Sequence, residues 1–527
     1  MKLLLSNLII PVEQDGAEEP AKAAAHQLQV GVDRINILKI LSKSIDLLDR
    51  EQFYYKWSIV VQVSGGYDNP QQLPLYQEPV EARRHEATLK ERPIIVGFGP
   101  AGMFAALELI EHGLRPIIFE RGKKIEERSV DVQRFIAKGE LNPESNIQFG
   151  EGGAGSYSDG KLFSRRDGNT SSVNRVLQTL IQFGAPEEIG YIGKPHLGTD
   201  VLCKIVANIR EHILEHGGEI HYQSKMTDLL IAGDRAAGIV VNNAQEYCSS
   251  HIYIALGHSA RDTMEMLHDK GVALEQRPIA VGVRIEHPAA VVNRMRYGPK
   301  YHNFQGLGAA TYSLNYTNQK IRRGVYTFCM CPGGEVVNAS SGQGLLVVNG
   351  MSYSRRDSPF SNAALVVSCH VEDYPSASPL AGLQFQEAIE RKAFCAGGGA
   401  WAVPAQNLLH FLGESSDAGI GETSYKMGAV AADLKAVLPQ FVIAELLTAF
   451  GKWRQETPLF VSDQAILLGA ETRTSSPVRI RRNERFESVN VKNLYPIGEG
   501  SGYTGGITSS AADAIRAVSL HMAEASR

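Results

Sequence analysis

The sequence predicts an α/β protein: a Rossmann-like dinucleotide-binding domain interrupted by a mixed α+β insertion and preceded by a small N-terminal α+β domain of ferredoxin-like type. Three observations carry this. A strand, glycine turn, helix, strand and acid follow one another over 93–120. A second strand, glycine turn and helix occupy 493–519, nearly the whole chain away. Between them, from about 276 to 460, strands and glycine turns give way to helical periodicity. The expected domains are 1–80, a charged linker at 81–92, a discontinuous dinucleotide-binding domain at 93–275 and 461–527, and a substrate or cap domain at 276–460.

Composition narrows the function. The chain has 527 residues, enough for two to four domains at roughly 150 residues each. A formal net charge of −4 gives no basic field of the kind that binds nucleic acid. No apolar run approaches the roughly 18 residues that span a bilayer. Ser6 and Asn7 interrupt the apolar N-terminus, which reads as a strand rather than a signal peptide. The six cysteines are scattered and suggest no disulfide framework, so cytoplasm is the expected location.

In the first domain, Lys2 to Ile10 suits a strand. Ile35, Leu38, Leu41, Ile45 and Leu48 have helical spacing, which predicts a helix over Val32 to Leu48. Phe53, Tyr55, Trp57, Ile59, Val61 and Val63 alternate, which predicts a strand whose aromatic face packs on that helix rather than serving a ligand.

In the 93–120 unit, Ile94-Ile95-Val96 is a strand buried on both faces. Gly97, Gly99 and Gly102 fit G-x-G-x-x-G, with Pro100 and Ala101 between them. Gly97 permits the tight turn, Gly99 lets a pyrophosphate approach the backbone, and Gly102 brings the helix close to the strand. The phosphates meet free N–H groups at the helix N-terminus. Glu120, 18 residues past Gly102, stands at the second strand's end and is placed to accept from a ribose, with Arg121 beside it. An adenine dinucleotide is expected here. Downstream, Arg128 and Arg134 fit phosphate contacts and a solvated face equally well.

Residues 149–163, FGEGGAGSYSDGKLF, form a glycine loop between apolar anchors. Gly153, Gly155, Ser156, Asp159 and Lys161 are its candidate ligand contacts. Leu197 to Tyr222 predicts a helix capped by Thr199 or Asp200, then a strand. A hairpin is expected around 232–234, and a buried strand over 250–256 ends on Gly257-His258. Pro278 to Ile285 predicts a strand ending on Glu286-His287. Helices are expected over 382–394 and 430–453. Near the C-terminus, a strand stops at Gly498-Glu499-Gly500, and Gly505-Gly506-Ile507 opens the last helix.

Two such units at opposite ends of a chain resemble the FAD-binding fold of the glutathione reductase class. The resemblance puts Gly97, Gly99, Gly102 and Glu120 on the ADP part and Gly498 and Glu499 on the ribityl chain, with Glu replacing the usual Asp. It puts Gly505 and Gly506 near the flavin pyrimidine, and 252–257 in place of a middle strand. GEGGAGSYSDGKL, GHSARD, VGVRIEHP, CMCPGGEVV, NGMSYSRRDS and YPIGEGSGYTGGI are similar to a bacterial group of FAD-dependent proteins or NAD(FAD)-utilising dehydrogenases, over most of the chain. The resemblance implies FAD as cofactor.

An FAD-dependent oxidoreductase is therefore expected. It would transfer hydride between the flavin and NAD(P)H, a transient donor, or an unidentified small-molecule substrate or electron acceptor. A flavin-dependent RNA-modifying protein and a flavin sensor are the alternatives. His258 and Arg284 lead the catalytic candidates because they follow strand ends; His196, Glu286 and His287 are weaker. Arg473 and Arg479 suit salt bridges better than an anionic substrate. Cys329-Met330-Cys331 lacks the second ligand pair that zinc needs and reads as buried thiols, with a redox pair as the alternative.

Overall fold

Three core residues of alternating spacing set the N-terminal sheet. Trp57, Ile59 and Val61 of the strand Tyr54–Val63 are buried against the helix Glu19–Leu28. That strand pairs antiparallel with Lys2–Pro11 on one side and Ile35–Asp46 on the other. The computed structural model describes residues 1–78, 87, 89–162 and 171–525, so most of the charged linker, and Phe163, lie outside the described residues.

The helix expected over 32–48 is thus a strand. Its pairing slips between Ile37 and Lys39 and again between Ile40 and Ser42. Each bulge adds a residue and turns the face of the strand. Ile35, Ile37 and Ile40 pack on the core, while Leu38, Ile45 and Leu48 are exposed. The apparent helical spacing mixed residues of two sheet faces. Three strands and one helix also fall short of the β-α-β-β-α-β order of a ferredoxin-like domain among the described residues. The aromatic residues are packed, but not on the helix expected for them: Trp57 lies in the core with the helix Glu19–Leu28, and Phe53 stacks on Tyr301 of the inserted unit at 4.5 Å between ring centroids.

The dinucleotide unit is a five-stranded parallel sheet in the order Leu494–Pro496, Ile252–Ile254, Ile94–Val96, Ile117–Phe119, Glu219–His221. Ile94–Val96 and Ile252–Ile254 are wholly buried, as sheets covered on both faces require. The helices Pro100–Glu111 and Ile507–Ala525 pack against each other beside it. Met226–Ala232 and Arg235–Val241 form the expected hairpin, extended by Gln245–Cys248. The helix Thr199–Glu215 starts from Gly198, not from a side-chain cap; the Asp200 carboxylate instead accepts from Ser354 N and Oγ.

The insertion is a seven-stranded, mostly antiparallel sheet around Ile279–Pro288, which pairs with Phe360–Cys369 and Ile466–Glu471. The chain leaves and returns through one antiparallel pair, Leu274–Gln276 with Val478–Ile480. Ile466–Glu471 therefore belongs to this sheet, beyond the expected boundary at 460. The helix Ala381–Ala396 is as expected. The stretch 430–453 is divided: Ala429–Ala431 is a strand, Leu434–Val437 a helical turn, and Pro439 caps the helix Gln440–Glu456. No helix among the described residues is long and apolar enough to cross a membrane.

Candidate functional site

The three fingerprint glycines serve different neighbours. A Cβ on Gly97, whose φ is +98°, would lie 2.4 Å from the Ala255 carbonyl oxygen. A Cβ on Gly102 would lie 2.0 Å from the Gly97 oxygen. Both are required by the protein's own backbone. At Gly99 the nearest atom would be Gly153 Cα, at 3.6 Å, and the residue borders a large cavity. The protein's own packing does not require a glycine at this position.

Glu120 borders the cavity, but its carboxylate is already engaged. It accepts from the amides of Phe98 at 2.8 Å, Gly122 at 2.8 Å and Gly150 at 3.0 Å. It fastens the fingerprint turn to the glycine loop, a role beyond the expected ribose contact. Arg121 makes a bidentate pair with Asp262, 2.8 Å for each bond.

The glycine loop is built on Arg128. Its fully buried guanidinium donates to the carbonyls of Asn146 (2.8 Å), Ile147 (2.9 Å), Glu151 (2.7 Å) and Gly153 (3.0 Å). It contacts neither phosphate nor solvent in this arrangement. Arg134 is exposed, 3.9 Å from Glu140, and follows the solvated reading. Ser156 is buried inside the loop rather than in the cavity.

At the loop's end the Asp159 carboxylate is 1% exposed. It accepts from Lys161 Nζ at 2.6 Å, Arg356 Nε at 3.0 Å and Nη2 at 2.5 Å, and Ser352 Oγ at 2.5 Å. Burial opposes its ionisation, but Lys161 and Arg356 outweigh that and hold it below the usual carboxylate range. Arg356 and Ser352 come from a loop almost two hundred residues away. The sequence shows them only as part of an unexplained NGMSYSRRDS stretch.

Gly498, with φ +73°, holds the C-terminal turn against the fingerprint: its Cβ would lie 2.6 Å from Ala101 Cβ. Glu499 opens onto the cavity. Burial lifts its carboxyl to about 7, against the pull of the Gly506 N–H. Cβ atoms on Gly257 and Gly506, both at positive φ, would meet no protein atom within 4 Å.

The seven-stranded sheet supplies the opposite wall. Arg473 donates to both Glu390 oxygens at 3.0 Å, to Ser341 Oγ at 2.7 Å and to Ser259 Oγ at 3.2 Å. It forms the expected salt bridge and also borders the cavity; Arg479 pairs with Glu275 at 2.8 Å. His258 Nδ1 lies 2.9 Å from Ser259 Oγ. Burial, then Arg473 and Arg261, push His258 down to about 4, so it is neutral at pH 7. His196 is also driven to about 4, by burial and Arg356.

Arg284 does not reach the cavity. It is fully buried behind the wall, donating to Asn362 Oδ1 at 2.9 Å, Glu471 Oε2 at 3.0 Å and the Cys329 oxygen at 2.7 Å. A strand-end position put it beside the site; the sheet's twist and packing turn its side chain inward, so it positions the wall instead of touching substrate. Glu286 accepts from Ser424, and His287 Nε2 lies 2.9 Å from the Phe460 oxygen, both away from the cavity.

The cavity has a volume of about 1680 Å³. Drug-sized ligands occupy roughly 300–1,000 Å³. Its walls bring together Gly97, Gly99, Pro100, Ala101, Glu120, Arg121, Gly153, Gly155, Asp159, Lys161, Gly257, His258, Glu499, Gly505, Gly506 and Ile507. Gly102, Ser156, Gly498 and Arg284 stand behind them. Cys329, Glu471 and Arg356, which no linear pattern places together, also face it.

The architecture is that of a mixed α/β protein with a glycine-rich, dinucleotide-sized cleft between a parallel and an antiparallel sheet. The chain is 41% identical to a protein of Clostridium beijerinckii described as uncharacterized, over 99% of both chains, and belongs to one family with it. Residues 278–474, the inserted sheet unit, match the family model described as FAD-dependent protein, C-terminal domain-like. Among solved structures, a flavin-dependent brominase is similar at 13% identity over 83% of this chain and 80% of that one, with a TM-score of 0.37. A geranylgeranyl bacteriochlorophyll reductase-like protein of Thermoplasma acidophilum is similar at 11% identity over 84% and 80%, with a TM-score of 0.36. Structural overlap of this degree carries no argument about function.

Proposed function

We propose that the protein is an FAD-dependent oxidoreductase with a glutathione-reductase-type arrangement of its cofactor. One observation supports this above the rest. The turns at 97–102, 150–160 and 498–507, far apart in sequence, border a single cavity, and the backbone is bare at Gly99, Gly257 and Gly506, where a Cβ would enter it. The residues fit the cofactor. Free amides at the N-terminus of the helix Pro100–Glu111 would hold the pyrophosphate. The Glu499 carboxylate would accept from a ribityl hydroxyl. The positive end of the helix Ile507–Ala525 would offset negative charge on the ring. FAD, when bound, supplies two-electron redox chemistry. Lys161, held by Asp159, adds a fixed cation at the cavity wall, and neutral His258 is available to accept a proton. NAD(P)H is the proposed transient donor, because a second complete dinucleotide fingerprint is not evident in the sequence.

Anaerobic addition of NADH or NADPH to the purified protein tests this. The expected result is a yellow protein whose visible absorption one of the two bleaches within seconds. A yellow protein that neither bleaches would point to an organic donor. A colourless protein that takes up no added FAD would defeat the proposal.

A further inference from the structure

Cys329 and Cys331 stand at a defect in the strand Arg323–Cys331. Its register against Phe360–Cys369 shifts between Phe328 and Cys331. Cys329 lies in the left-handed region at φ +44°. In a regular strand, residues i and i+2 are about 6.7 Å apart, at the far limit for a disulfide. A bulge with a left-handed residue bends the strand, increases its twist and re-aims the side chains. The Cys331 thiol donates to the Cys329 backbone oxygen at 3.4 Å, which keeps its sulfur on the side of its neighbour.

The surroundings differ on the two sides. Cys331 is fully buried, whereas Cys329 is half-buried and borders the cavity. Arg284 reaches both, 2.7 Å from the Cys329 oxygen and 3.7 Å from Cys331 Sγ. Gly350 keeps the space open, since a Cβ there would lie 2.4 Å from Arg284 Nη2 and 2.7 Å from Cys331 Sγ. The neighbouring Cys331 thiol comes first in lowering Cys329, and Lys161 and Arg284 add to it against burial. Cys331 is pushed the other way. A cavity-facing thiol drawn toward its thiolate form, with a second thiol beside it that holds its proton more tightly, is the chemistry of a reactive pair, not of inert core thiols.

We propose that Cys329 and Cys331 form a dithiol–disulfide couple that exchanges two electrons with the flavin. In the oxidising direction, the sulfur–sulfur bond forms and the S–H bond of Cys331 breaks. Its proton and the two electrons pass to oxidised flavin, leaving the singly protonated reduced form; the reverse restores the dithiol. The electron partner rests on the FAD reading above, while the disulfide itself does not.

Two measurements test it. Reduced protein is treated with diamide, unfolded, alkylated with iodoacetamide and digested. The expected product is one peptide carrying both cysteines, unalkylated and lighter by two hydrogens, with the exposed Cys248 and Cys395 remaining alkylatable as single thiols. Cys329→Ser and Cys331→Ser each abolish the cross-link. Alkylation of both cysteines in diamide-treated wild type overturns the couple. Fully oxidised, FAD-loaded protein is then titrated anaerobically with dithionite. Wild type should take up four electrons per flavin and Cys331→Ala two. An endpoint of two in the wild type overturns the exchange. A protein that forms the cross-link but takes up no FAD would defeat the flavin reading and leave the couple standing.

Discussion

The two walls of the cavity are made of different material. The glycine-rich wall is main chain: glycines at 97, 99, 153, 257, 505 and 506 bring bare backbone to the cavity, in segments whose residues are neighbours in sequence. The other wall is side chain: Asp159, Lys161, Arg356, Cys329, Glu471 and Arg473 come from four separated segments; Asp159 holds Lys161 and Arg356, Arg284 holds Glu471 and the Cys329 carbonyl, and Glu390 holds Arg473. A main-chain site tolerates change except where a Cβ would intrude. A site of buried charges depends on every partner.

The largest expected effect falls on the side-chain wall. Asp159→Asn leaves Lys161 and Arg356 without their shared anion, and removing one partner of a buried ion pair costs about 3–5 kcal/mol. Because neither cation is wholly buried, the low end, about 3 kcal/mol, is expected in urea unfolding. The sign with pH follows from the lowered Asp159 value. This contribution is present above the usual aspartate range and fades as pH falls through the lower folded-state value, so the variant's deficit should shrink in acid. A deficit independent of pH would show that the cluster is not held by charge.

Next, two glycines of one turn should behave oppositely. Gly102→Val forces a Cβ against the Gly97 oxygen and should destabilise the fold by about 2–3 kcal/mol. Gly99→Val should stay within about 0.5 kcal/mol of wild type in unfolding. Its FAD retention should fall by ~100-fold or more, about 2.7 kcal/mol. A yellow, fully loaded Gly99→Val protein would remove the pyrophosphate from this turn.

Glu499 sharpens the comparison, since it is the side-chain contact within the main-chain wall. Burial holds it at about 7 without ligand, and a ribityl hydroxyl donating to the carboxylate would favour the charged form. FAD binding below pH 7 should therefore release a proton, and affinity should fall as pH drops from 7 to 6. Calorimetry in buffers of different ionisation enthalpy reads both. Glu499→Gln should bind about tenfold more weakly at pH 8 and show no proton release. An unchanged proton count in that variant would move the effect elsewhere.

The smallest effect tests Arg134 against Arg128, two arginines of one helix, Ile125–Lys138. Arg134→Ala should lie within about 0.5 kcal/mol of wild type. Arg128→Met, which strips five loop carbonyls of their donor, should reduce FAD affinity and loop protection from hydrogen exchange together.

Much of the main-chain wall was legible in advance. The strands at 94–96, 117–119 and 252–254, the helix after Gly99 and the turn at 498–507 follow from glycines and apolar runs close in sequence. The helix predicted over 32–48 failed because two bulges, invisible in a linear pattern, moved apolar residues between faces. Arg284 was picked as a site residue and proved a support, because strand position does not fix which side of a wall a side chain occupies. Cys329 stood out in the sequence as half of a C-x-C, but besides its neighbour Cys331 the groups that lower its pKa include Lys161 and Arg284, 168 and 45 residues away.

By itself the sequence determined where the backbone bends, where it is bare and which runs are buried, because those depend on residues a few places apart. It thereby determined two halves of the proposed dinucleotide site. Only the tertiary structure decided that the halves close on one cavity, that Asp159 meets Arg356, and that Cys329 faces inward beside a lysine. Charges and thiols act over a few ångströms of space, and the chain crosses that space at points its order does not reveal.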